Sequence, residues 1–419
     1  MGRHLIRHLA RGFVAALLVL GFAANSPQPV RFVAPVTEPA TAATGWTSTW
    51  NAALGYAPAV GGWNNQTLRM AVRTSLGGDQ LRLHLSNRFA SAPAVIGHVT
   101  IGTQMNGGST LEPAPLDVTF GGSTALTLGP GASAVSDPIP LATAPATRLL
   151  VSIYVPPGAN MVTSRHDVAM ETNFNSNGGD AASSQYYPTS NTFGFYALLD
   201  GLDVPRGAPS TVVAIGDSIT DGLHTDSDTD TRWPDYAAER AAAAGLAVTD
   251  QGISGSEVTV DQSFAPSELT RWSTDVLGQP GVCAVIDAGG INDLRAGISA
   301  QTLIAAKQRL ISATHAAALR YYLTTLTSDA GSTGSSSAEA AQVAIYNQWV
   351  RSGSAVTGGD GYFDFDAAVD AGGALKAVYD SGDHLHPNSA GAAAIGNVVG
   401  VSGLCTASMI RTGVLGGAP

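Results

Sequence analysis

The apolar residues of this chain change their period at about Ala208. Before it they alternate with polar residues over short stretches. After it they come in solid runs separated by helical stretches. Alternation marks a strand with one buried and one solvated face. A solid β-branched run such as Thr211–Ile215 marks a strand covered on both faces, as in a parallel sheet. One sheet cannot satisfy both patterns, so the chain should fold as an all-β region followed by an α/β region. Its 419 residues suffice for two domains.

In the first region Leu68–Leu76 and Leu81–Leu85 read as strands joined by Gly77-Gly78-Asp79, a glycine-rich hairpin turn. Leu81, Leu83 and Leu85 should face one way, Arg82 and His84 the other. Further strands are expected at His98–Gly102, Asp117–Phe120, Ala125–Leu128, Leu149–Val155 and Phe193–Leu199. Short strands at regular turn spacing predict an all-β sandwich over residues 45–207. In the second region the strand runs Thr211–Ile215, Ala247–Asp250, Val282–Asp287 and Tyr321–Leu326 alternate with helical stretches. Those helices are expected at Trp233–Ala244, Thr302–Ala318, Ala338–Arg351 and Ser389–Val399. This alternation predicts a parallel sheet between two helical layers over residues 208–404, with residues 405–419 as a tail.

Residues 1–44 read as a secretion signal and a disordered spacer. Arg3, Arg7 and Arg11 precede an apolar stretch, Phe13–Ala24, which is shorter than the roughly 20 residues a membrane span needs. An uncleaved anchor is the alternative. The Pro/Ala/Thr-rich run from Ser26 to Thr44 suits a spacer. Membrane contact is expected only through the signal segment, and the mature chain is expected outside the cell or at the envelope. A net charge of −11 argues against nucleic-acid binding, which needs a basic footprint. Cys283 and Cys405 either pair, as the oxidising compartment would allow, or stay as a buried free thiol and a separate one. Neither has a metal-ligand neighbour, so no zinc site is expected.

Four ordered blocks carry the chemistry. Gly216-Asp217-Ser218 follows a buried strand, where sites of open α/β sheets gather. Ser218 at the start of a helix is placed as a nucleophile; alone, it fits a helix cap equally well. Gly255, after the strand Ala247–Asp250, lets a backbone N–H approach a ligand closely; alone, it fits an ordinary turn. Asn292 follows Gly289-Gly290-Ile291 and can donate its side-chain amide to a developing oxyanion; a cap is the alternative. Asp383 and His386 share one side of a turn, so the carboxylate can orient the imidazole toward the serine. His384 should diverge from them.

Together these blocks resemble the SGNH hydrolase superfamily, also called GDSL esterases and lipases. The resemblance covers about Ala208–Val401, and its motifs match Ser218, Gly255, Asn292 and His386 in order, with Asp383 at the Asp-x-x-His position. It implies a three-layer α/β/α fold of flavodoxin type. It further implies a serine ester hydrolase with Ser218, Asp383 and His386 catalytic, with Ser218, Gly255 and Asn292 as the oxyanion hole, and with no cofactor or metal. Gln251 and Ser256 depart from the residues frequent in the family, without touching Gly255. Asp383–Gly391, Thr231-Arg232-Trp233-Pro234-Asp235, Asn65-Gln66-Thr67-Leu68-Arg69 and Leu85-Ser86-Asn87 look like secreted actinobacterial members with an N-terminal β-domain.

The expected substrate is an acylated carbohydrate polymer, with a lipid ester or lysophospholipid as the near alternative. A spent hydrolase serving as a carbohydrate-binding or cell-wall protein is the reading from another class. Asp226, Asp228 and Asp230 alternate as in a calcium loop, but an EF-hand needs Gly and Glu where Thr231 and Ala237 stand. A solvated acidic loop near the active site is expected instead. The oligomeric state is not constrained.

Overall fold

Leu81, Leu83 and Leu85 are completely buried in the computed structural model, while Arg82 and His84, on the alternate face of their strand, both reach the Asp203 carboxylate. The structure describes residues 45–56, 62–186 and 189–406. The expected signal segment, the spacer and all of the tail beyond Thr406 lie outside them.

The three leucines belong to one inner face of a β-sandwich. Trp46–Asn51, Leu199–Pro205, Arg82–Ser86 and Ser133–Val135 pair antiparallel in that order. Facing them is a six-stranded antiparallel sheet centred on Gln66–Arg73, Arg148–Val155 and His98–Thr103. Leu68, Met70, Val151 and Ile153 from the second sheet share a core with Leu83, Leu85 and Leu202 from the first. Burying each such side chain stabilises the fold by about 1.5–3 kcal/mol.

The expected strand Asp117–Phe120 is only Leu116–Asp117, and two further expectations need correction. Gly77-Gly78-Asp79 does not close a hairpin, because the strands on either side of it lie in different sheets. The glycines serve another contact: Gly78 bridges Thr143, and a Cβ on Gly77 would meet the Thr143 carbonyl oxygen at 2.2 Å. Phe193–Leu199 is not one strand either. It breaks at Gly194 and again at Leu198, whose φ is +62°. The chain then enters Leu199–Pro205, a central strand whose Asp200, Gly201 and Asp203 hid it from the hydrophobic pattern. Trp46–Asn51 was hidden in the same way. Its Ser48 and Thr49 are buried because their hydroxyls donate to Asp203 and to the Leu76 carbonyl.

The second region is a five-stranded parallel sheet. Its order is Ala247–Gly252, Thr211–Gly216, Val282–Asp287, Arg320–Thr324, Gly361–Phe363. Val212 and Ala214 pack into one core with Trp233, Ala237 and Ile395. Val213 and Ile215 pack into the other with Trp272, Leu303 and Tyr346. Alternate residues of a single run are thus buried on opposite faces, as a sheet between two helical layers requires. The helices Trp233–Ala242, Ala300–Ala316, Ser337–Arg351 and Ser389–Val398 lie where the sequence placed them, within two residues at each end. The edge strand Gly361–Phe363 was not foreseen; at three residues it is too short to show a period. Cys283 and Cys405 form a disulfide with their Cα atoms 5.2 Å apart, which ties the central sheet to the end of the last helical layer. Among the described residues no helix is long and apolar enough to cross a membrane.

The two regions meet along a continuous seam rather than through a linker. The Thr211 hydroxyl donates to the Ser48 and Pro280 carbonyls at 3.1 and 2.9 Å. Gly281 approaches Thr47 so closely that a Cβ there would lie 2.4 Å from its hydroxyl oxygen. At the other end of the seam Arg148 and Arg73 of the sandwich pair with Asp230 of the second region.

Candidate active site

The strand order reverses at Thr211–Gly216, and the crevice opposite its carboxyl end is where an open α/β sheet binds its ligand. Gly216 ends the strand. A Cβ there would lie 2.3 Å from the Thr220 hydroxyl, so only glycine lets the short helix Ser218–Asp221 fold back against it. Asp217 caps that helix by accepting from the Ile219 N–H at 3.0 Å. The cap is therefore Asp217, which frees Ser218. Burial pushes the Asp217 carboxyl up to about 7.

Ser218 Oγ lies 2.8 Å from His386 Nε2, and His386 Nδ1 lies 2.6 Å from Asp383 Oδ2. The other carboxylate oxygen, Oδ1, accepts from the backbone N–H groups of Leu385 and His386, both at 2.9 Å. Burial works against this carboxylate, yet the His386 ring N–H and those backbone donors hold it well below the usual range. Burial pushes the His386 imidazole below its ordinary value; Asp383 opposes the shift, and His224 and Arg295 reinforce it. A neutral imidazole between a hydroxyl and an ionised carboxylate can accept the hydroxyl proton. His384 diverges as expected: its Nδ1 meets Asp380 at 2.6 Å and its ring is more than half exposed.

Gly255 sits in the left-handed region at φ +77°, and a Cβ there would lie 3.0 Å from the Phe264 ring. Its loop is held against the serine block, since the Ile253 N–H and the Ser256 hydroxyl both donate to the Gly216 carbonyl. Asn292 is not the helix cap; Gly290 is, at φ +133°. The Asn292 amide donates to the Ser256 carbonyl at 3.0 Å, which leaves its second N–H for another acceptor. Next to it, Asp293 accepts from the Val258 and Thr259 N–H groups and from the Thr259 hydroxyl, at 2.8, 3.0 and 2.6 Å. The third block thus anchors the second, a role for Asp293 that nothing in its spacing revealed.

His224 is the other residue that the sequence did not single out. It stands beside the base with φ +71°, a conformation uncommon outside glycine. Among the described residues His224, Asp383 and His386 form the one group of metal-ligand composition, with ligand atoms within 4.8 Å of one another. Asp226, Asp228 and Asp230 do not converge. Asp226 takes the Ser389 hydroxyl, Asp228 takes Thr172, and Asp230 takes Arg73 and Arg148. The exposed acidic run is not simply solvated; two of its three carboxylates bind the sandwich.

Residues 214–394 match the model of the GDSL-like lipase/acylhydrolase family. No curated protein sequence matches the chain. Among solved structures, one similar chain is a protein of the lipolytic G-D-S-L family from Desulfitobacterium hafniense, at 19% identity and TM-score 0.37, covering 45% of this chain and 97% of that one. A GDSL-like lipase from Bacteroides thetaiotaomicron is similar at 16% identity and TM-score 0.36, over 46% of this chain and 86% of that one. An acetylxylan esterase from Geobacillus stearothermophilus is similar at 20% identity and TM-score 0.35, over 46% and 92% of the two chains.

Proposed function

We propose, from the match of residues 214–394 to the GDSL-like lipase/acylhydrolase family and from the geometry of the site, that the chain is a carboxylic ester hydrolase of the SGNH type, a secreted serine esterase removing acyl groups from a carbohydrate polymer. Ser218 Oγ attacks the ester carbonyl while its proton passes to His386 Nε2. Asp383 holds the imidazole in the right tautomer and stabilises the imidazolium that forms. The Ser218 and Gly255 N–H groups and the Asn292 amide receive the developing oxyanion. His386 returns the proton to the leaving alcohol. Water then attacks the acyl-enzyme, His386 again takes the proton, and the acid leaves. The observation that carries this reading is the unbroken line from Ser218 through His386 to Asp383, at 2.8 and 2.6 Å.

Secretion is supported by the Arg3, Arg7 and Arg11 pattern ahead of Phe13–Ala24, and by the Cys283–Cys405 disulfide, which suits an oxidising compartment. A polymer substrate is supported by the sandwich, which packs beside the site and extends the surface beyond one ester group. One observation favours a lipid ester instead. Val260 and Phe264, each 44% exposed, sit on the loop that covers Gly255 and offer an apolar wall to an acyl chain.

A series of nitrophenyl esters of increasing acyl length, run beside acetylated glycans, tests the substrate. Fastest turnover of the acetate together with acetate release from a glycan supports the polymer. A preference for long acyl chains with no glycan deacetylation replaces it with the lipid. Labelling by a fluorophosphonate that disappears in Ser218→Ala distinguishes both from a spent binding protein.

A further inference from the structure

His166 belongs to the all-β region, on a two-residue strand paired with Tyr196–Ala197, yet its imidazole is buried against the helix that opens with Ser218. Its Nδ1 lies 2.9 Å from the Ala53 carbonyl oxygen. Its Nε2 lies 2.9 Å from the Val168 carbonyl oxygen and 3.0 Å from Asp221 Oδ1. Every polar partner is an acceptor. A neutral imidazole has a proton on only one nitrogen, so it would set a lone pair against a carbonyl oxygen. The ring therefore carries both protons, and its charge faces the buried Asp221 carboxylate. Burial alone would push the His166 imidazole down; the Asp221 carboxylate holds it above its ordinary value.

Asp221 closes the helix that Ser218 opens, and its second oxygen is committed elsewhere. Oδ2 accepts from the Ser254 N–H at 2.8 Å and from the Ser254 hydroxyl at 2.6 Å. Ser254 immediately precedes Gly255. The loop on which Gly255 rides is thus held at three points: by the Gly216 carbonyl, by Asn292 at the Ser256 carbonyl, and by Asp221 at Ser254. The third point depends on Asp221 keeping its position in a buried site, where the His166 imidazole from the all-β region faces one carboxylate oxygen and the Arg232 guanidinium also acts on the carboxylate. Ala53, whose carbonyl fixes the far side of the His166 ring, packs with Ile253 and Ala265 of the same loop system.

We propose that His166 is a positioning residue for ester hydrolysis: through Asp221 and Ser254 it fixes the direction of the Gly255 N–H, so that the sandwich completes the oxyanion hole of the other domain. This rests on the reading that Gly255 is an oxyanion donor. A donor aimed at charge that develops only in the transition state acts on turnover more than on substrate binding. His166→Gln keeps one donor and removes the charge; Asp221→Asn removes the acceptor of the Ser254 hydroxyl; Ser254→Ala removes that hydroxyl and spares the fold.

The test is the steady-state rate of nitrophenyl acetate hydrolysis by the full-length variants, with affinity for a trifluoromethyl ketone that mimics the tetrahedral intermediate measured beside it. His166→Gln and Asp221→Asn are expected to lower kcat by roughly 10- to 100-fold, up to the loss of a whole donor. KM should change less than about twofold, and the ketone should weaken in parallel with kcat. Ser254→Ala should show the same split at smaller size, and it carries the test if the buried variants fail to fold. Wild-type kcat in a folded His166→Gln enzyme, or in Ser254→Ala, overturns the proposal. So does a loss that falls on KM alone. Ser218→Ala run in parallel separates the two readings. If it is inactive while His166→Gln is unaffected, the positioning role alone fails. If it is active, the serine mechanism itself fails.

Discussion

The His224 ring stands 5.1 Å from the His386 ring, centroid to centroid, and its Nε2 lies 3.5 Å from the same Asp383 oxygen that orients the base. Two imidazoles thus share one carboxylate oxygen, and only one of them also reaches Ser218. The second is half exposed, and its presence beside the base pushes the His386 imidazole down.

The pH profile should report this. Burial, with help from His224, holds His386 below its ordinary value, so the neutral base persists into mildly acid solution. A rate that needs neutral His386 rises with pH, and its acid limb should lie below the ordinary histidine range near 6.5. His224→Ala removes a neighbouring positive charge, lets His386 keep its proton to higher pH, and should move the acid limb upward. A kcat/KM profile measured across the limb checks the sign; a downward shift contradicts it.

The two histidines of the last block should separate cleanly. His386→Ala loses the base and should drop turnover by about three orders of magnitude or more. His384 is tied to Asp380 and points to solvent, so His384→Ala should keep most of the activity. The reverse order in nitrophenyl acetate turnover would mean that the roles are exchanged.

Replacing Cys283 and Cys405 by Ala should destabilise the protein without disabling it. The bridge spans a sequence separation of 122 residues, and loss of such a cross-link costs about 2–4 kcal/mol. Cys283 lies near the amino end of its strand, away from the site at the carboxyl ends. A lower denaturant midpoint with unchanged kcat is the expected result; equal midpoints for the two proteins would show that the bridge carries no stability.

Removing the sandwich should abolish hydrolysis even of a small ester. A fragment starting near Pro205 loses His166, and it loses the hydrogen bond from the Tyr56 N–H to the Phe264 carbonyl, which braces the loop over Gly255. Turnover of nitrophenyl acetate by this fragment should be far below that of the whole chain, and adding the separately expressed residues 45–206 should restore part of it. Full activity of a soluble fragment would show that the sandwich is only an accessory module.

Much of the site was legible because its chemistry is local. Asp383 and His386 are three residues apart, so one turn decides their hydrogen bond. Ser218, Gly255 and Asn292 each follow a strand, and a parallel sheet gathers the carboxyl ends of its strands on one edge. The strands that escaped notice, Trp46–Asn51 and Leu199–Pro205, bury hydroxyls and carboxylates whose partners lie far along the chain. Hydrophobic periodicity has no means of registering such residues, because their burial is made tolerable only by a partner found after folding.

Hydrophobic pattern determined that a sandwich precedes an α/β/α domain, and four ordered blocks, read through their resemblance to the SGNH hydrolases, pointed to a serine, a histidine and an aspartate meeting at the carboxyl ends of the sheet. The tertiary structure decided what surrounds them. It paired Cys283 with Cys405, where the sequence left both states open. It sent Asp228 to Thr172 and Asp230 to Arg148, both in the all-β region. It also brought His166 of the all-β region to Asp221 on the helix that Ser218 opens, across 55 residues of chain. Such contacts are set by how two preformed surfaces dock, and docking depends on charges and close approaches that no short stretch of sequence contains.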